Sequence, residues 1–433
     1  EEFLKFVRET PKVATELENL YDERFGGQIP REYNIPDVAH YPGAVDTITL
    51  RDHQKRGVSR GLQENTLFAH GVGAGKTYLV TTLAMEARRL GTAKKPMIVV
   101  QGATLEQFAS AFKRLYPAAN VLAPNAEDRT KANRQRLLSQ IATGDWDAVI
   151  VPHSFFNGLA ISPEREAAFI EEDLDALRAD LREAQADKSQ ERGRKSPRVK
   201  QIEKMMLKRE ARLKALLDAR KDENVFFEDT GVDMLVVDEA HAYKRGDFVT
   251  KMDNVKGLDR DSSQRSMQLL LKSRYIAEKT GGKNVHLATG TPVSNTLAEL
   301  WTALRYIRPD LLERFNVTQF DDFASTFCAT KTDIEETATG DYKPVTRFNR
   351  YQNLGELISM WKAGADIVLA EDLDYIKDIP KLKGGRPQEV SLERNPELTG
   401  YIQHLKQWRM EWEHLSGKEK REQSHVPLLI YNL

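Results

Sequence analysis

Gly71-Val72-Gly73-Ala74-Gly75-Lys76-Thr77 combines three glycines with a lysine and a hydroxyl, directly after the apolar run Leu67-Phe68-Ala69. Strand, glycine loop and helix N-terminus together make an anion cradle, with backbone N–H groups turned inward on phosphate oxygens. In such a loop Lys76 reaches the β- and γ-phosphates and Thr77 offers its hydroxyl to Mg2+. The strict pattern G-x-x-x-x-G-K-[ST] asks for glycine at position 70, where this chain has His70. Alone, the motif speaks only for binding a nucleoside triphosphate.

A second run, Leu235-Val236-Val237-Asp238-Glu239-Ala240-His241, ends an apolar stretch in two carboxylates. At the C-terminal edge of a parallel sheet, Asp238 would hold the Mg2+ shell and Glu239 would orient or deprotonate an attacking water. A third run, Leu287-Ala288-Thr289-Gly290-Thr291-Pro292-Val293-Ser294-Asn295, follows another short strand and continues through Leu297, Glu299-Leu300-Trp301, Leu304 and Tyr306-Ile307.

This third run resembles the segment of Swi/Snf-like DNA-dependent ATPases, in helicase superfamily two, that links nucleotide site to DNA groove. Further runs resemble the same family. Leu50-Arg51-Asp52-His53-Gln54 is similar to the stretch whose glutamine reads adenine. Pro96-Met97-Ile98-Val99-Val100 and Trp146–Ser154 are similar to its DNA-contacting segments. The resemblance implies ATP and Mg2+ as cofactors, with Gln54, Gly71, Gly73, Gly75, Lys76 and Thr77 on the nucleotide and Lys76, Asp238 and Glu239 in the chemistry. It implies coupling through His241, Thr289, Gly290 and Thr291, and contacts to duplex DNA from His153, Ser154 and Asn295. The stretches around Glu23-Arg24-Phe25 and Ala69-His70 look closest to the large helicase-like proteins of phages and mobile elements, often fused to an adenine-specific DNA methylase. Motors of this family work between two RecA-like lobes, the second supplying arginine fingers. The chain is expected to stop where that lobe would start, with Ile367–Val390 as the bridge. Two other functions stay open: a nucleotide- or DNA-binding scaffold without turnover, and a motor subunit of a restriction or antirestriction system.

The elements that position these residues follow from periodicity. From 50 to 162 short strands alternate with helical patterns, and the rhythm resumes over 223–308. That alternation predicts an α/β fold, a RecA-like doubly wound parallel sheet of P-loop type. Residues 163–222 interrupt it. There, 164–191 holds ten acids and four bases, and 192–221 holds twelve bases and three acids. Two long helices of opposite charge predict an inserted antiparallel hairpin, able to dock another protein or, along its basic arm, DNA phosphates. An N-terminal helix and connector over 1–49 and a partial, mixed C-terminal region over 309–433 complete the expected organisation.

Composition narrows the class. Across 433 residues, 64 basic and 65 acidic side chains leave the chain near neutral, so any surface for nucleic acid must be local. The single Cys328 excludes an internal disulfide and fits a reducing cytoplasm, in a bacterial or phage-infected cell. No apolar run approaches the ~18 residues of a membrane span. Nor is there a signal-type N-terminus, and the absence of an initial Met suggests a segment of something longer.

Overall fold

A short parallel strand buried on both faces needs a continuous apolar run rather than an alternating one, and five stretches of this chain have it. In the computed structural model, β1 (Leu67–His70), β2 (Pro96–Val100), β4 (Ala148–Pro152) and β6 (Val285–Ala288) are buried throughout, and β5 (Met234–Asp238) is buried except at its terminal carboxylate. The structure describes residues 33–128, 130, 133–186, 197–218, 225–246, 263–336, 342–369 and 395–415, with isolated positions 12, 13, 15, 248, 250, 252, 255, 256, 258 and 373. The expected N-terminal helix and most of the expected bridge after 369 lie outside the described residues.

The sheet has seven strands in the order β3-β4-β2-β5-β6-β1-β9, where β3 is Val121–Leu122 and β9 is Ala365–Val368. Every pairing is parallel. Helices α1 (Asp52–Gly61), α2 (Lys76–Arg89), α3 (Leu105–Leu115), α4 (Arg134–Thr143) and the short α5 (His153–Gly158) surround the first half. The predicted α/β class and doubly wound sheet are therefore present. Two buried apolar clusters, one on either side of the sheet, hold the helices: Phe68, Leu79, Leu83, Ile98 and Phe112 in one, Met97, Val99, Phe156, Val237 and Leu269 in the other.

The predicted hairpin is also present, as α6 (Pro163–Ala186) and α7 (Pro197–Asp218). Leu177, Ala184, Val199 and Ile202 form its own buried seam. Across that seam Arg212 Nε bonds Glu166 Oε1 at 2.7 Å and Arg209 Nε bonds Asp173 Oδ2 at 2.6 Å, so the opposite charges do pair. Helix α8 (Gln264–Thr280) is capped by Ser263, whose side chain accepts from Ser266 N, and it anchors the hairpin through Arg274–Glu172 at 3.0 Å. Next come α9 (Ala298–Ile307), α10 (Pro309–Arg314), α11 (Phe320–Phe327) and α12 (Leu354–Gly364).

One strand departs from expectation. Ala365-Asp366-Ile367-Val368 falls in the region read as mixed and leading away, yet β9 pairs with β1 over its whole length. Asp366 makes the run look polar, but its carboxylate has partners that offset its charge, as described below. A smaller unit includes 254–256, 330–350 and 377–433. Its described parts are most of a two-stranded ribbon, β7 (Cys328–Glu336) with β8 (Tyr342–Tyr351), and the helix α13 (Pro396–His414).

Candidate nucleotide site

In a parallel sheet the C-terminal strand ends lie on one edge, and each carries a loop that can face a ligand. Here the loop after β1 is the glycine run. Gly73 and Gly75 have φ of +85° and +78°, in the left-handed region open to glycine. Gly75 is also the N-cap of α2, and a Cβ there would collide with Gln54 Nε2. Lys76 Nζ donates to the carbonyl of His70 at 3.0 Å, which holds the ammonium at the mouth of the loop. Gly290 approaches from the end of β6, and a Cβ on it would stand 3.6 Å from Lys76 Nζ. Gln54 is buried with both ends of its amide engaged: Oε1 accepts from Arg51 N at 2.8 Å and Nε2 donates to Gly75 O at 2.9 Å. Its neighbour His53 bonds the Ala74 carbonyl through Nε2 at 2.8 Å. The start of α1 thus grips the glycine loop from behind.

Two strands away, β5 ends at Asp238. Burial pushes its carboxyl up to about 6, helped by the charge of Glu239 and opposed by Lys76 and His241. Asp238 Oδ1 is buried without a hydrogen-bond partner, an arrangement that a cation would relieve. Glu239 takes the left-handed conformation, φ +50°, uncommon for a residue with a side chain. It turns the chain into a short 3-10 segment, Ala240–Tyr243. Its Oε2 lies 3.1 Å from His241 Nδ1, and the same nitrogen lies 3.5 Å from Thr289 Oγ1.

The third loop is held by a residue the sequence singled out only as part of a pattern. Glu299, buried in the first turn of α9, accepts from Ser294 N at 2.6 Å and pairs with Lys244 Nζ at 3.0 Å. Lys244 follows the turn that begins at Asp238, so Glu299 ties that turn to the Thr289–Asn295 loop. Thr289 is buried and its Oγ1 accepts from Thr291 N at 3.2 Å, while Thr291 and Asn295 are exposed.

His153 sits differently from Ser154. Its ring turns inward, Nε2–H donating to Asp238 O at 2.9 Å beside the Tyr243 ring, and burial pushes its pKa down. Ser154 is exposed and lines a cleft of about 780 Å3 with Asn157, His241, Lys244, Arg245 and Arg265. A further cavity, about 700 Å3, lies between the hairpin and α8–α9 and includes none of the phosphate-loop residues.

Among the described residues no group of three or more His, Cys, Asp or Glu side chains could hold a metal ion. The donor set fits Mg2+ nonetheless, because that ion is commonly held by one or two carboxylates plus substrate phosphates, and Asp238 offers an orphaned oxygen. No helix among the described residues is long and apolar enough to cross a membrane.

Comparison with known proteins agrees with this layout. A family model described as a probable helicase domain matches residues 62–368, from before β1 to the last residue of β9. The chain belongs to this helicase-domain family. Defense against restriction protein B of Escherichia phage P1 is 26% identical over 162 residues, 36% of this chain and 7% of that protein. The match thus spans a small part of that relative's length. Two solved structures are similar at low identity. The SWI2/SNF2 ATPase core of Sulfolobus solfataricus in complex with dsDNA has a TM-score of 0.39 and 13% identity, covering 92% of this chain and 60% of that one. The Hef helicase domain of Pyrococcus furiosus has a TM-score of 0.29 and 12% identity, covering 61% and 36%. At such scores the fold of this helicase domain rests on its own strand order.

The sequence gives no reason to single out Arg60, to assign His53 a contact with the loop, or to pair His70 with Asp366. His70 stands out in the sequence as a departure from the glycine pattern and as part of the Ala69-His70 resemblance, but its partner lies 296 residues away.

Proposed function

We propose that this helicase domain is the nucleotide-binding lobe of an ATP-dependent motor that moves on duplex DNA. The observation that carries the reading is Asp238 Oδ1, an atom shielded from solvent and without a hydrogen-bond partner, within electrostatic reach of Lys76 at one edge of the sheet. In this reading Gly71–Gly75 present N–H groups to the β- and γ-phosphates, and Lys76 moves from the His70 carbonyl onto phosphate oxygens. Thr77 and Asp238 would hold Mg2+, which supplies charge neutralisation to the transferring phosphoryl group. Glu239 orients the attacking water and accepts its proton. Gln54 steadies the loop and, by the resemblance, faces adenine.

Coupling to DNA would run through His241, which joins Glu239 to Thr289, and through Gly290 and Thr291 in the loop that Glu299 holds. The cleft bearing Ser154, Lys244, Arg245 and Arg265 has the charge to take a phosphodiester backbone. Asn295 would contact DNA from the neighbouring loop, with His153 fixing the geometry from within. A second lobe supplying arginine fingers, and any methylase module, would belong to the full-length protein. The partial match to an antirestriction protein favours a role of that kind for the whole. There the α6–α7 hairpin would dock a partner, and deleting it should abolish partner capture.

The test is a Glu239→Gln variant of the full-length protein. It should bind ATP and duplex DNA as the parent does but lose DNA-stimulated hydrolysis by about 100-fold or more. Undiminished turnover would remove Glu239 from the chemistry, and equal absence of turnover in the parent would favour a non-hydrolysing scaffold.

A further inference from the structure

The strand β9 lies beyond the phosphate-loop strand, at the edge of the sheet, and it is tied both to the loop and to α1. Asp366 Oδ2 accepts from His70 Nε2 at 2.6 Å, and both side chains are buried. Asp366 Oδ1 faces Arg56 Nε at 3.5 Å. Despite burial, His70, Arg56 and Arg60 together hold the Asp366 carboxyl below its usual range. Gly71 N donates to Val368 O at 2.9 Å, so the first amide of the loop is bonded to the last residue of β9. Ala74, inside the loop, is buried in a cluster of its own with Val368 and Leu373. In addition, Arg60 reaches from α1 to the carbonyls of Lys362, Ala363 and Ala365 at 2.8–2.9 Å.

A negative charge buried beside a phosphate cradle would oppose an anion unless it were neutralised. The His70 hydrogen bond and the Arg56 guanidinium offset it here. The side chain that replaces the usual first glycine therefore has a task that glycine cannot perform. Its own carbonyl is the acceptor of Lys76 Nζ. The path Asp366–His70–Lys76 is continuous in hydrogen bonds and in backbone.

We propose that Asp366 is a positioning residue of the nucleotide site. Through His70, and with Val368 and Leu373 packed against Ala74, β9 sets the shape of the phosphate loop. The inference rests on the nucleotide-site reading and adds to it a residue nearly 300 positions downstream.

The test measures the Kd of a fluorescent ATP analogue with Mg2+, the Kd of duplex DNA, and the melting temperature. The variants are Asp366→Asn, His70→Leu, His70→Gln, the double variant Asp366→Asn/His70→Leu, and Lys76→Ala. Loss of one charge-assisted buried bond should weaken nucleotide binding about tenfold in Asp366→Asn and in His70→Leu. The double variant should be no worse than the poorer single one, because both remove the same contact. His70→Gln keeps an N–H donor and should recover most of the affinity. DNA affinity should stay within about twofold throughout, which a general loss of folding would not allow. Unchanged nucleotide affinity in Asp366→Asn and His70→Leu, with Lys76→Ala defective, overturns the inference alone. Additive losses in the double variant, or losses that follow melting temperature and spread to DNA, also overturn it. A parent chain whose nucleotide binding ignores Lys76→Ala overturns both the inference and the reading beneath it.

Discussion

Glu299 joins two loops that the sequence separates by about fifty residues, and its removal has a calculable cost. Its carboxylate accepts from Ser294 N at 2.6 Å and from Ser294 Oγ at 3.1 Å, and pairs with Lys244 at 3.0 Å. A part-buried N–H bonded to a charged acceptor contributes about 1.5–3 kcal/mol. The ion pair counts for less, because the Lys244 side chain is 26% exposed and can hydrate when abandoned; about 1 kcal/mol is reasonable. Glu299→Ala should therefore destabilise the domain by about 2–4 kcal/mol, allowing for non-additivity. Glu299→Gln keeps an oxygen for Ser294 N and should cost about 1 kcal/mol. Urea unfolding at fixed pH and salt reads both values, and the m-value should not change. In the full-length protein the alanine variant should also narrow the ratio of DNA-stimulated to basal ATPase, because the loop after Thr289 loses its tie to Lys244. The reasoning is wrong if Glu299→Ala unfolds within about 0.5 kcal/mol of the parent, or if Gln is as damaging as Ala.

Asp238 retains its proton up to about 6 in the folded chain, against an ordinary value of 3.8. The folded state thus loses stability as pH rises from the ordinary carboxylate range through about 6, and Asp238→Asn removes that loss. Without Mg2+ and nucleotide, the variant should be more stable by about 1–3 kcal/mol at pH 8 and equal to the parent near pH 4, as thermal melts would record. ATP should stabilise the parent more with Mg2+ than without it, and stabilise the variant equally in both cases. Lys272 is buried in α8 with its ammonium on the Phe156 carbonyl at 2.7 Å, and burial pushes its pKa down to about 7. Its charge is a burden below about 7 that fades as pH rises toward the ordinary lysine range. The stability of Lys272→Met relative to the parent should fall as pH rises from about 7 toward 10.5, and a flat difference would contradict the burial argument. Gly75→Ala meets both a positive φ and the Gln54 amide, so it should cost about 1–3 kcal/mol in stability and abolish detectable nucleotide binding.

The parts legible in the sequence were those with local causes. Strands buried on both faces are mostly apolar, with His70 in β1 and His286 in β6 as exceptions, helices carry their own period, and the charge of the hairpin arms is written in 164–221. Glycines with positive φ at 73 and 75 announce their own loop. Other features depend on partners far along the chain. β9 contains a carboxylate, and only the presence of His70 and Arg56 makes that tolerable inside a sheet. The inward turn of His153 depends on the Asp238 carbonyl, 85 residues away. Gln54 was read as a ligand contact on resemblance, whereas the structure adds a role as clamp between Arg51 and Gly75. None of these pairings has a spacing that a single sequence could reveal.

The central claim is that Gly71–Thr77 and Asp238 form one Mg-nucleotide site, and the most direct measurement is binding of ATP by titration calorimetry with and without Mg2+. Parent protein, Lys76→Ala and Asp238→Asn are compared at one pH and at a temperature well below each one's melting temperature. The account predicts Mg-dependent binding by the parent, no measurable binding by Lys76→Ala, and binding by Asp238→Asn that no longer responds to Mg2+. Binding by Lys76→Ala equal to that of the parent would contradict it.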